Sequence, residues 1–190
     1  MKPKRLGPTL GWKTNSSKLL FESKWYNLRQ DSVNFKSKNF TYTYVEHPGS
    51  VFVVPITENN EIVLLRTYRH TADDWCWEVP AGGIGDRANK TLEEVARAEM
   101  LEEAGCSGGE LENLGSFYAA NGVMDSRATY FLARDVALAK PRPEETELID
   151  RIALIPIKDA LSEVQSGRIN DGESAFAIML ALARLSHFTD

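Results

Sequence analysis

Three glutamates stand at a spacing that places them on one face of a helix. Glu99, Glu102 and Glu103 are related as i, i+3 and i+4. The composition from Thr91 to Ala104 is strongly helical, and Gly105 stands where a helix commonly stops. The sequence therefore predicts a helix that presents three carboxylates on one side.

The apolar positions of this helix fall on the same side as the carboxylates. Leu92, Val95 and Ala96 precede the glutamates by one to two turns, whereas Glu93 and Arg97 point away. A solvated acidic face is the usual meaning of a glutamate cluster, and it is the alternative here. Each like-charge pair at this spacing destabilises a helix by roughly 0.2–0.5 kcal/mol. An inward-facing cluster thus favours a bound cation, and carboxylate oxygens suit Mg²⁺ or Mn²⁺ better than zinc.

A glycine-rich turn precedes the acidic helix and indicates the kind of substrate. Gly82, Gly83 and Gly85 form it, directly after Pro80. A cation held by carboxylates beside a flexible loop can bridge phosphate oxygens and lower the pKa of an attacking water. We therefore expect a substrate that carries a diphosphate.

The composition is that of a globular protein and argues against a nucleic-acid-binding or membrane protein. The chain has 190 residues, of which 43% are hydrophobic and 26% charged, with a net charge of −5 and a pI near 5.3. This acidic balance argues against a nucleic-acid partner.

The cysteines and the hydrophobic pattern indicate the compartment. Cys76 and Cys106 form no CxxC pair and predict reduced thiols. Neither a signal peptide nor a run of about eighteen apolar residues is evident, so we expect a cytoplasmic protein.

Elements that must position the helix are readable along the rest of the chain. Residues 1–18 predict a polar arm, and residues 19–46 predict aromatic-rich strands with a turn at Gln30-Asp31-Ser32. The remaining pattern predicts strands over 51–57, 61–68, 75–80, 115–119, 127–133 and 151–157, with helices over 91–104, 158–166 and 173–187. We expect an α+β fold with two parts: an arm and strand module over 1–48 and a catalytic domain over 49–190.

Several strings in this order resemble a known family. Residues 82–106, with Glu99-Met100-Leu101-Glu102-Glu103-Ala104-Gly105-Cys106 at their end, resemble the Nudix box G-x5-E-x7-R-E-U-x-E-E-x-G-U. Residues 77–82 (WEVPAG) and 65–69 (LRTYR) are similar to motifs of its ADP-ribose pyrophosphatase and nucleoside diphosphate sugar hydrolase branch. The resemblance implies a Nudix-type α/β/α sandwich with a mixed sheet, preceded by an antiparallel strand module that helps to build a homodimer.

The resemblance also implies roles for the acidic residues. The carbonyl of Ala81 and the carboxylates of Glu99 and Glu103 would bind divalent cations, and Glu102 would support them. Residues 143–149 resemble a late loop that completes the site, with Glu147 as a ligand and Glu145 as the general base. An exposed acidic loop is the alternative for this last segment.

Three further residues are implied to bind substrate. Arg69 would contact a phosphate or the terminal ribose, Gly83 would lie against the substrate in the glycine turn, and Asp125 would hydrogen-bond the sugar. The proline that this branch often carries downstream of the box is replaced by residues 120–122 (Ala-Asn-Gly).

The box itself departs from the family pattern at three points. Gly82 and Glu99 are seventeen positions apart instead of fifteen, so the loop near residues 86–89 carries two extra residues. Lys90 stands at the position of the first glutamate of the pattern, and Ala98 stands at the position of its arginine. In the family, that glutamate and that arginine mainly tether the loop to the helix. Arg97 is adjacent but should point to the opposite side.

The expected activity is Mg²⁺-dependent hydrolysis (with Mn²⁺ as a possible substitute) of ADP-ribose or a related nucleoside diphosphate sugar, giving a nucleoside monophosphate and a sugar phosphate. Lys90 and Ala98 motivate an alternative, a weakly catalytic module that binds such nucleotides without turnover. A transcription regulator would need a DNA-binding segment and a more basic chain. Decapping or hydrolysis of nucleoside triphosphates also stays open, because loops outside the box set the substrate.

Overall fold

The computed structural model describes residues 4–85, 87, 89–143 and 147–186. The chain divides into two compact units, one made of residues 1–49 and 118–127 and the other of residues 50–117 and 128–190. The second unit carries the acidic helix. None of the helices in the described ranges is both long and apolar enough to cross a membrane.

The first unit is built on a three-stranded antiparallel sheet. A short helix α1 (Leu6–Thr9) leads into β1 (Lys13–Glu22), β2 (Asn27–Phe35) and β3 (Lys38–Glu46), paired in that order. Lys36 and Ser37 both have positive φ, 47° and 61°, as a two-residue hairpin turn between β2 and β3 requires. The arm predicted over residues 1–18 is therefore wrong in part, because β1 already begins at Lys13.

The turn predicted at Gln30-Asp31-Ser32 is also wrong, since these residues lie in the middle of β2. Asp31 is fully buried, and its carboxylate accepts hydrogen bonds of 2.5 Å from Lys4 Nζ and 2.5 Å from Ser17 Oγ. Burial acts to raise the pKa of Asp31, but these hydrogen bonds outweigh it and leave the pKa below its usual value. A residue typical of turns is thus held in a strand by partners far away in sequence.

Within the described residues, the second unit contains a mixed sheet and three helices. Its elements are β4 (Ser50–Thr57), β5 (Glu61–Arg69), β6 (Asp74–Glu78), β7 (Ala81–Gly83), α2 (Leu92–Ala104), β8 (Cys106–Ser107), β9 (Glu110–Tyr118), β10 (Arg127–Leu138), β11 (Ile149–Pro156), α3 (Ile157–Gln165) and α4 (Gly172–Ser186). The path through the sheet runs β11-β5-β4-β10-β8, with β6 paired to β5, β7 to β4 and β9 to β10. β4 and β10 are parallel, whereas β5 pairs antiparallel with β4, β6 and β11.

The core of this unit lies on both faces of the sheet. Alternate residues of β4 contribute to different hydrophobic clusters, Val51 and Val53 to one and Phe52 and Val54 to the other. The first cluster includes the buried face of α2, and the second includes residues of α3 and α4. The sheet is therefore covered by helices on both faces, which confirms the α+β class with a mixed sheet.

The predicted elements are found near the predicted positions, with a few differences. Gly82 and Gly83, expected in a turn, belong to the short strand β7, which pairs with Ser50 and Val51 of β4. Leu92 is 37% exposed rather than part of the inward stripe, because it lies in the first turn of α2. His187, the last residue of the predicted final helix, lies outside the described residues.

Candidate active site

The helix α2 is closed at both ends by local interactions that set its register. Thr91 caps the N-terminus: its hydroxyl accepts a 3.2 Å hydrogen bond from Glu94 N, and the Glu94 carboxylate accepts a 2.7 Å bond from Thr91 N. Gly105 ends the helix in the left-handed conformation with φ 66°. These signals place Glu99 and Glu103 one turn apart on the buried face, where each is only 6% exposed.

Glu103 connects the helix to the glycine-rich strand. Its Oε2 atom accepts a 2.8 Å hydrogen bond from Ala81 N, at the start of β7. Burial raises the pKa of Glu103 well above its usual value; the Ala81 hydrogen bond opposes this, and the charges of Glu147 and Glu99 add to it. The structure thus brings together four of the residues that the sequence analysis placed at the cation site.

Gly82 lies directly against the carboxylate of Glu99. A Cβ atom at residue 82 would stand 2.0 Å from Glu99 Oε1, far inside van der Waals contact. A Cβ at Gly83, in contrast, would meet nothing within 4 Å. A larger residue at position 82 would therefore have to displace the Glu99 side chain.

Arg87 is a site residue that the sequence analysis did not identify. Its Nη2 atom lies 3.2 Å from Glu99 Oε1 and 2.9 Å from Glu102 Oε2, and its side chain is only 16% exposed. The residue belongs to the lengthened part of the loop. The sequence did offer a signal for this role: the lengthened loop contains a basic residue, and the box has Ala98 where the family pattern has an arginine. Arg97 points away, as predicted, and donates to the carbonyl of Gly108 at 3.1 Å.

Arg69 is held at the end of β5 by a buried carboxylate. Its Nε donates to Glu78 Oε1 at 2.8 Å, and its Nη2 donates to Glu78 Oε2. The hydrogen bonds to Glu78 raise the pKa of Arg69, so its guanidinium stays charged. Burial raises the pKa of Glu78, while Arg69 opposes that effect. The positive charge of Arg69 also acts on Glu103, which places it electrostatically within the acidic site.

Of the two glutamates predicted in the late loop, Glu147 is among the residues that the structure describes. Glu147 comes just before β11, where Tyr68 N donates a 3.0 Å hydrogen bond to Leu148 O and so fixes the segment beside the end of β5. Its negative charge is among those that act on Glu103. Glu145, the predicted general base, lies outside the described residues.

Asp125 belongs to the first unit, whereas the glutamates belong to the second. Its carboxylate accepts a 3.1 Å hydrogen bond from His47 N, and its own N–H donates to Val45 O at 3.1 Å. Asp125 lines a cavity of about 420 Å³ within that unit, and the lining also includes Lys4, Tyr44 and Arg127. Its predicted sugar contact stays a prediction.

The donor set fits a hard cation held by few protein oxygens. Ala81, Glu99 and Glu103 offer only oxygen ligands, and Gly82 leaves room for the Glu99 carboxylate. Within the described ranges, no three His, Cys, Asp or Glu side chains form a ready-made cluster for a metal ion. Mg²⁺ usually takes one or two protein carboxylates and completes its shell with water and substrate phosphates. The residues present therefore suit this mode of binding better than an all-protein cage.

Comparison with known proteins gives the family to which this helix-covered mixed sheet belongs. Residues 46–175 match the family model described as NUDIX domain, so the chain belongs to the NUDIX family. The ADP-ribose pyrophosphatase of Bacillus subtilis (strain 168) is 27% identical over 169 residues, 87% of this chain and 90% of that protein. The ADP-ribose pyrophosphatase of Mycobacterium tuberculosis (strain ATCC 25618 / H37Rv) is 30% identical over 162 residues, 83% and 77% of the two chains.

A solved structure shares the fold. A protein described as an ADP compounds hydrolase superposes with a TM-score of 0.82 at 17% identity, covering 94% of this chain and 96% of that one. The comparisons confirm the branch indicated by the sequence motifs and the assignment as a Nudix pyrophosphohydrolase. Nudix hydrolases generally use divalent metals.

Proposed function

We propose that the protein hydrolyses the pyrophosphate bond of ADP-ribose or of a related nucleoside diphosphate sugar, with Mg²⁺ as cofactor and Mn²⁺ able to replace it. ADP-ribose would yield AMP and ribose 5-phosphate. The observation that carries the proposal is the pair of buried carboxylates, Glu99 and Glu103, that α2 places against the Ala81–Gly83 strand. The family match and the two ADP-ribose pyrophosphatases among the relatives support the substrate class.

In this proposal the chain holds both the cation and the diphosphate. The carbonyl of Ala81 and the carboxylates of Glu99, Glu103 and Glu147 would hold the cation, and Glu102 would support it. The bound cation supplies positive charge to the phosphate oxygens and lowers the pKa of the attacking water. Burial, with neighbouring negative charges, raises the pKa of Glu103, and the positive charge of a bound cation would oppose that shift.

Three further residues would bind the substrate. Arg69, kept charged and oriented by Glu78, would contact a phosphate oxygen. Gly83 would allow the substrate to approach the backbone closely, and Asp125 would accept a hydrogen bond from a sugar hydroxyl. Glu145 would take the proton from the attacking water as general base.

The test is release of nucleoside monophosphate from a substrate panel. The purified protein is incubated with Mg²⁺ and ADP-ribose, ADP-glucose, GDP-mannose, UDP-glucose, NADH or dGTP. We expect AMP from ADP-ribose and a loss of about 100-fold in Glu103→Gln, because a cation ligand is removed. Undiminished turnover in Glu103→Gln would overturn the proposed site, and release only from another substrate would retain the chemistry and change the substrate.

A second candidate is a module that binds nucleotides without hydrolysing them. The observation that favours it is the pair of departures in the box, Lys90 and Ala98. It predicts that ADP-ribose binds in a calorimeter while no AMP appears with either Mg²⁺ or Mn²⁺. Measurable AMP release by the wild-type protein, abolished in Glu103→Gln, would exclude it.

We also propose that the first unit forms a homodimer interface. Every residue of β1 is exposed, and the same unit leaves the large apolar side chains of Leu20, Phe21, Trp25 and Tyr26 at least 42% exposed. An apolar surface of this kind is typical of an interaction site. Light scattering after size-exclusion chromatography should give twice the 21.3 kDa chain mass. A monomer at micromolar concentration would contradict the interface.

A further inference from the structure

We infer that Arg87 is a positioning residue that takes over the task of the box arginine missing at Ala98. It holds the Glu99 and Glu102 carboxylates and fastens the lengthened loop to α2. Its role at the cation site rests on the proposed function. Its role as the counter-ion of the two carboxylates rests on geometry alone.

The contacts of Arg87 make it a bridge between loop and helix. One guanidinium nitrogen, Nη2, lies 3.2 Å from Glu99 Oε1 and 2.9 Å from Glu102 Oε2. Arg87 also makes two backbone hydrogen bonds: its N–H donates to Ile84 O at 3.3 Å, and its carbonyl accepts from Lys90 N at 2.9 Å. Arg87 therefore joins the loop to α2, and the Ala81–Glu103 hydrogen bond joins the preceding strand β7 to the same helix.

The position of Glu99 is set from two sides. Gly82 approaches Glu99 Oε1 so closely that no Cβ would fit, and Arg87 contacts the same oxygen. The Glu99 side chain is only 8% exposed, and a buried carboxylate needs a partner of opposite charge. Glu103 accepts its hydrogen bond from Ala81, whereas Arg87 contacts Glu99, the other buried carboxylate of the pair.

The neighbouring arginine does not serve this purpose. Arg97 comes one residue after the buried Ala96 and lies on the exposed side of α2. Its guanidinium donates to the carbonyls of Gly108 and Gly109. It is exposed, and among the described residues its guanidinium hydrogen bonds go to these two carbonyls rather than to Glu99 or Glu102. The lengthened loop thus supplies the guanidinium of Arg87, whereas the helix has Ala98 at the arginine position of the box.

The experiment compares Arg87→Ala and Arg87→Lys with Arg97→Ala, a matched control that removes an arginine from the opposite face of the same region. Melting temperatures are measured without divalent cation, and Mg²⁺ and Mn²⁺ affinities are measured by calorimetry without substrate. We expect Arg87→Ala to lower Tm by about 5 °C, because the buried carboxylate loses its partner. We expect it to weaken cation binding about 10-fold, because Glu99 is no longer oriented.

The remaining variants separate positioning from general damage. Arg87→Lys keeps the charge and loses the planar guanidinium, so its Tm and affinity should lie between those of wild type and Arg87→Ala. Arg97→Ala should stay close to wild type in both measurements. Unchanged Tm in Arg87→Ala would overturn the inference, and tighter cation binding would show that Arg87 competes with the cation instead of positioning its ligand. Cation binding without AMP release from ADP-ribose would reject the proposed function and leave the role of Arg87 standing.

Discussion

The backbone N–H of Ala81 donates a 2.8 Å hydrogen bond to Glu103 Oε2. This bond joins the first residue of β7 to the last turn of α2, across twenty-two positions of sequence. It brings the Ala81 backbone, a predicted source of one cation ligand, next to the carboxylate predicted as another. Strand β7 and helix α2 are therefore joined at the site, and substitutions where they contact each other test how the site is built.

Gly82→Ala should damage the site without disturbing the rest of the fold. The new Cβ would stand 2.0 Å from Glu99 Oε1, so the carboxylate must move. We expect cation affinity and AMP release to fall about 10-fold or more, since displaced ligands lose affinity on this scale. Gly172→Ala is the control, because a Cβ there meets nothing within 4 Å. Equal activity in the two variants would contradict the close packing of Gly82 on Glu99.

Glu78→Gln should weaken substrate binding through Arg69. The glutamine keeps the size of the side chain but no longer accepts two charge-assisted hydrogen bonds from the guanidinium. We expect KM for ADP-ribose to rise roughly 10-fold with a smaller change in kcat, because a charged pair that orients a substrate contact is broken. Glu163→Gln, which breaks the surface pair with Arg168, should leave both constants unchanged. A fall in kcat alone would argue against a binding role for Arg69.

Lys4→Ala should destabilise the first unit at neutral pH. Asp31 is fully buried and would lose the ammonium group that contacts it. Because the Lys4 side chain is 45% exposed, we expect a loss of only about 1–2 kcal/mol in the free energy of unfolding. Lys18→Ala, on the exposed strand β1, is the control. Chemical denaturation followed by tryptophan fluorescence would measure both, and equal midpoints would refute the buried pair.

The same pair predicts the sign of a pH effect. The folded-state pKa of Asp31 is lowered, so its contribution to stability is present above the ordinary value of 3.8 and is lost as the pH falls through the folded-state pKa. The difference in unfolding free energy between wild type and Lys4→Ala should therefore shrink below pH 3.8. A difference that grows on acidification would have the wrong sign.

Cys106 should be inert towards alkylating reagents in the folded protein. Its side chain is fully buried, and burial raises the pKa of its thiol to about 12, so almost no thiolate exists at pH 8. Burial likewise raises the pKa of Cys76, which is 8% exposed. Mass spectrometry after iodoacetamide treatment should show no label on the native protein and two labels after unfolding. Rapid labelling of Cys106 in the native state would contradict its place in the core.

Much of the site's framework follows from local sequence. The helix over 92–104 is encoded by its composition, by Thr91 and Glu94 at one end and by Gly105 at the other. Once its register is set, the i, i+4 relation places Glu99 and Glu103 on one buried face. Interactions between residues close in sequence need no knowledge of the remaining chain, which is why these features were predictable together with the order of most strands.

The partners of the charged residues depended on the fold. Asp31 has the character of a turn residue, yet it lies in β2 because Lys4 and Ser17 pair with it. In the pairing of β5 with β6, Glu78 lies opposite Leu65 and Arg69 lies opposite Asp74, so no sequence periodicity predicts the contact between Arg69 and Glu78. Arg87 reaches Glu99 and Glu102 from a loop without a repeating pattern. Such contacts join segments distant in sequence, and their free energy is realised only after the chain has folded and water has been excluded.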